Sequence, residues 1–101
     1  SNTEAFETSS TQKSLEAFNV FPIPVKSGHP VFVHFALNEA SDFTVELMDV
    51  SGKVVSAATE YGKTAGTYTF TLPTPEDLPA GIYFLKMGNE KETITRKVMV
   101  E

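Results

Sequence analysis

The stretch "DVSGKVVSAATEYGKTAGTYTF", residues 49–70, is nearly all turns and alternation. Asp49-Val50-Ser51-Gly52-Lys53 is a tight turn between two apolar runs, with Ser51-Gly52 at its tip. A loop holding Gly62 and Gly66 follows. Tyr68, Phe70 and Leu72 then alternate with Thr67, Thr69 and Thr71, the cleanest period-two pattern in the chain. A hairpin followed by an alternating strand reads as antiparallel sheet.

The same rhythm extends in both directions. Leu15–Phe21 is a first strand, stopped by Pro22 and Pro24, which cannot donate to a ladder. Val31–Leu37 and Phe43–Met48 alternate, with "NEASD" (38–42) turning the chain between them. Lys53–Thr59 returns from the hairpin. "PTPEDLPAG" (73–81) is a proline-rich connection with room for one helical turn, which Glu76-Asp77 would cap. Ile82–Met87 and Thr93–Val100 close the series, and no helix longer than a turn is supported. About seven short strands, with turns every eight to twelve residues, predict an all-β chain folded as an immunoglobulin-like antiparallel sandwich.

A length of 101 residues suits one domain. Residues 1–14, rich in Ser, Thr and Glu, read as a flexible lead or linker, the alternative being a strand fixed by Phe6. The domain proper is 15–101. Ser1-Asn2 in place of an initiator Met predicts a cloning scar or a cut from a longer precursor.

Composition removes several classes of function. The formal charge is −5, and among the eight basic residues only Arg96 and Lys97 are adjacent, so the cationic footprint of a nucleic-acid binder is missing. No apolar run approaches the ~20 residues of a membrane-spanning helix. Without cysteine there is no disulfide or thiolate site. His29 lies in a loop and His34 on the polar phase of a strand, so they make neither a metal pair at helical spacing nor a nucleophile's base. Asp42, Glu46 and Asp49 follow one strand and its ends, but the oxygen-rich loop of a calcium site is missing. The expectation is no enzyme, no cofactor and no metal.

Two features stand out from an ordinary sandwich. Ile82–Met87 is apolar on both faces, Tyr83, Leu85 and Met87 on one and Ile82 and Phe84 on the other. That describes either a central strand covered by its neighbours or a partner-binding patch. Arg96 interrupts the apolar phase of the last strand, as a bulge or an edge would.

The series "NVFPIPV" (19–25), "VELMDVSGKVV" (45–55), "AGTYTFTL" (65–72), "LPAGIYFLKM" (78–87) and "TRKVMVE" (95–101) resembles the C-terminal sorting domain of the type IX secretion system of Bacteroidetes. The matching positions are Pro22 and Pro24, then Asp49, Gly52 and Lys53, then Gly66, Gly81 and Tyr83, and finally Lys97, Val98 and Val100. Where the family commonly has Asn between the prolines this chain has Ile23.

The resemblance implies an immunoglobulin-like label at the end of a larger cargo protein. Translocon and shuttle proteins would recognise it, carry the cargo across the outer membrane, and a surface sortase would remove it near residues 1–14. The cargo would cross the periplasm and end at the cell surface or in the medium, in some cases joined to an anionic lipopolysaccharide. The extreme C-terminus, 97–101, reads as an end the core does not need, and a terminal strand with an accessible edge would allow strand addition to a receptor; an exposed strand edge, wherever it lies, would also allow a homodimer. The rival reading is an accessory module of a secreted enzyme, a spacer or a carbohydrate binder using Phe32, Tyr61, Ile82 and Phe84.

Overall fold

A computed structural model of the chain describes residues 15–101, so the expected lead over 1–14 lies outside the described residues. Seven strands follow one another there: β1 (Leu15–Phe21), β2 (Val31–Leu37), β3 (Ser41–Met48), β4 (Val54–Lys63), β5 (Gly66–Leu72), β6 (Gly81–Gly88) and β7 (Thr93–Val100). They form two antiparallel sheets, β1-β2-β5 and β4-β3-β6-β7. This is the expected immunoglobulin-like sandwich. Alternation built it: Val31, Val33, Phe35 and Leu37 from one sheet and Phe43, Val45 and Leu47 from the other are all buried. An aromatic cluster bridges the layers, with Phe35 edge-on to Phe43 at 5.0 Å and Phe43 edge-on to Phe70 at 5.9 Å.

Two segments differ from expectation. β4 continues through Gly62 to Lys63, so the loop before β5 shrinks to Thr64-Ala65. The Gly62 N–H donates to the Asp42 carboxylate at 2.7 Å, which holds the chain against β3 where glycine suggested a break. Residues 73–80 contain a turn at Glu76-Asp77 and no helical turn. Their polar groups are taken instead by the 26–30 loop: Gly28 N–H donates to the Pro75 carbonyl, Ser27 Oγ to Glu76, and Thr74 Oγ1 to the His29 carbonyl. Leu78 drops into the core from this connection.

β1 carries an extra residue between Glu16 and Asn19. A single insertion reverses the side-chain phase, so Leu15 and Phe18, three apart, both face inward. The spacing of apolar residues in "LEAF" is the trace of that bulge in the sequence.

Candidate functional site

The register gathers the family-motif residues at one end of the sandwich. Met48 pairs with Phe84 and Gly81 with Val100, so the Asp49–Lys53 turn, the start of β6 and the close of β7 lie together. β1 ends there too, and Pro22 and Pro24, each after a cis peptide bond, lead to Val25. Gly66 alone is placed at the opposite end, level with Leu37.

The hairpin turn is built around one carboxylate. Asp49 Oδ1 accepts from Ser51 Oγ at 2.6 Å, Ser51 N–H at 2.9 Å and Lys53 N–H at 3.0 Å, while the Gly52 N–H donates to the Asp49 carbonyl at 3.0 Å. The Ser51 hydroxyl, then the Lys53 N–H, hold its pKa below the ordinary value of 3.8. The depressed value belongs to the folded state, so the stabilisation is complete above the ordinary value and is lost as pH falls through the folded one. In Asp49→Asn the acid limb of a melting-temperature profile is expected to flatten below about pH 4, relative to the parent.

A four-residue pattern recurs at both ends, Ala65-Gly66-Thr67-Tyr68 and Ala80-Gly81-Ile82-Tyr83. The glycines have φ of +154° and +151°, a region essentially reserved for glycine. In each case the tyrosine hydroxyl reaches back four residues, Tyr68 to the Thr64 carbonyl at 2.6 Å and Tyr83 to the Pro79 carbonyl at 2.7 Å. Tyr83, buried at the start of β6, is the tyrosine corner expected of immunoglobulin-like sandwiches. Strand alternation alone does not lead to either corner, although the repeated Ala-Gly-x-Tyr is a usable signal. Tyr83→Phe is expected to cost about 1 kcal/mol in urea unfolding, and Tyr68→Phe, half-exposed, less.

The chain end corrects one expectation outright. Val98 and Val100 are core residues, and only Lys97, Met99 and Glu101 point out. Val25 is stitched beside them: its N–H donates to the Met99 carbonyl at 2.8 Å and its carbonyl accepts from Glu101 N–H at 3.0 Å. The outer edge of β7 is therefore already paired between Met99 and Glu101, and strand addition at that end has no open ladder. Arg96 sits on an edge strand without a register shift, its guanidinium 5.1 Å from the Phe18 ring and bonded to the Thr95 carbonyl.

The two apolar faces of β6 divide as the alternation required. Tyr83, Leu85 and Met87 are core; Ile82 and Phe84 lie on the outer face of the four-stranded sheet. There, Phe84 stands between Met48 and Lys97, and Ile82 beside Met99. Half-buried Phe84 fits the covered-strand reading, but Val54, Ile82 and Met99 remain exposed and extend the row across all four strands. It occupies the same end as the motif residues.

The other polar groups lead elsewhere. His34 Nδ1 lies 3.0 Å from Thr69 Oγ1 on the outer face of the smaller sheet, remote from the carboxylates of β3. A hollow of about 380 Å³ near the opposite end of the larger sheet is lined by Asp42, Glu46, Glu90, Asn89 and Lys86. Among the described residues no cluster of three or more side chains is placed to hold a metal, and no helix is long and apolar enough to cross a membrane.

Comparison with curated proteins finds no match. A family model described as the secretion system C-terminal sorting domain does match, over residues 19–101. That span takes in both prolines, the Asp49 turn, the tyrosine corner and the stitched terminal strand: the chain belongs to the C-terminal sorting domain family of the type IX secretion system.

Proposed function

We propose that the domain is a folded address label whose motif end is read by the translocon and its shuttle proteins, after which a surface sortase cuts it from the cargo. Family membership gives the coarser part directly: a type IX sorting signal, a cargo precursor, secretion machinery, and a surface or secreted fate. Passage through the periplasm, the named machinery and the cut belong to the proposal.

One observation carries it. Apart from Gly66, the family-motif residues and the exposed apolar row of Val54, Ile82 and Met99 coincide at one end of the sandwich, with Lys97 beside them. Contiguous exposed apolar surface marks interaction sites. The carbohydrate-binding alternative lacks a platform. Phe32 lies on one sheet stacked with Phe21, Ile82 and Phe84 lie on the other, and Tyr61 is near the far end of β4.

The test fuses the whole chain behind a fluorescent reporter with a periplasmic export signal, in a bacterium with a working type IX system. Reporter is expected at the surface or in the medium, and Lys97→Glu with Met99→Glu, both outward-facing, is expected to trap it inside the outer membrane. Retention of the parent fusion, with the domain shown folded, would overturn the label reading. Export unchanged by the double substitution would remove β7 and its neighbours as the surface that is read.

A further inference from the structure

Among the described residues four strands lie at sheet edges, and three carry devices that discourage pairing. β1 is bulged between Glu16 and Asn19. β7 is stitched to Val25 and has Arg96 folded over the Thr95 carbonyl. β4 shifts register near both ends and bears the Glu60–Lys63 ion pair. Bulges, charges and covering segments are the ordinary means of blunting an edge.

β5 has none of these. It pairs with β2 through all seven residues from Gly66 to Leu72 without a register shift, contains no charge and no proline, and among the described residues no strand pairs with its other side. Its sequence, Gly-Thr-Tyr-Thr-Phe-Thr-Leu, is also self-complementary. A two-fold axis through Thr69, normal to the sheet, sets Thr69 against its copy, Tyr68 against Phe70 and Thr67 against Thr71. Threonine pairs and aromatic pairs are favourable cross-strand neighbours, and no charge opposes a like charge. Tyr68 and Phe70, only half-buried in the monomer, would cover one another.

We propose that β5 is the pairing edge for a second copy of this chain, giving a continuous six-stranded sheet β1-β2-β5-β5-β2-β1 with Thr69 at the two-fold axis. The interface is isologous and closes at two copies. It leaves the motif end of each copy uncovered, because β5 is in the other sheet, and so it stands whether or not the label reading holds.

The experiment is sedimentation of the 101-residue chain across micromolar to millimolar concentration. A concentration-dependent dimer is expected. Thr69→Lys and Thr69→Glu, at an exposed position, each set like charges face to face and are expected to weaken it about fivefold. An equal mixture of the two variants is expected to associate at least as well as the parent. Thr59→Lys, exposed on β4, is expected to change nothing. The chain has no cysteine, so Thr69→Cys with a short thiol cross-linker gives a second readout: a covalent dimer from Thr69→Cys and none from Thr59→Cys. A monomer at every concentration, a dimer indifferent to both Thr69 charges, or equal weakening by Thr59→Lys would each overturn the proposal.

Discussion

Removing residues 97–101 is expected to abolish the cooperative fold or to leave it severely destabilised. Two fully packed valines leave the core, Val98 at 0% and Val100 at 4% exposure, each worth about 1.5–3 kcal/mol of burial. The two backbone bonds that stitch Val25 go with them, at about 1 kcal/mol apiece. Against a total stability of about 5–15 kcal/mol for a domain of this size, that is half or more of a mid-range value. Circular dichroism melting is the measurement: the truncated chain should show no sigmoidal transition, or one lowered by tens of degrees. A domain that melts like the parent would mean that β7 is dispensable and the stitch idle. The consequence for secretion is direct. A truncated label that fails to export has lost its fold together with its surface, whereas substitutions at Lys97 and Met99 change only the surface.

The second large effect is expected from Phe35→Ala. Phe35 is fully buried at the centre of the aromatic cluster, edge-on to Phe43 at 5.0 Å and stacked on Tyr68 at 5.7 Å, so it joins both sheets. Truncation removes the transfer energy of the ring and leaves a cavity between two layers held apart by their other side chains. Phenylalanine-to-alanine changes of this kind cost about 3–5 kcal/mol. Urea unfolding should show the midpoint falling with the slope unchanged. A loss below about 1 kcal/mol would mean that the sheets collapse into the gap, and that the cluster fills space without setting the separation of the layers.

Glycine, proline and alternation were enough to predict the strands. Side-chain phase is a local property, and wherever one face is buried it survives into the fold. Misreadings arose where a local signal had a tertiary answer. Gly62 reads as a break, yet Asp42, twenty residues earlier, holds it in the strand. The proline-rich 73–80 segment has room for a helical turn, but its polar groups are satisfied by the 26–30 loop. The bulge in β1 was legible in the spacing of Leu15 and Phe18, and the tyrosine corners in the repeated Ala-Gly-x-Tyr.

By itself the sequence determined the class of fold, the order of its strands and, through the motif series, the family. Each of these depends on residue type and short spacing. Among the described residues, the tertiary structure decided which strand edges find a partner. The pairing of Val25 with Val100, seventy-five residues away in the chain, leaves no local pattern, because a backbone hydrogen bond is indifferent to the side chains around it. With the ladder to β6, that contact makes the terminal segment the last strand of the core instead of a free tail, with Lys97 and Met99 as its outward side chains.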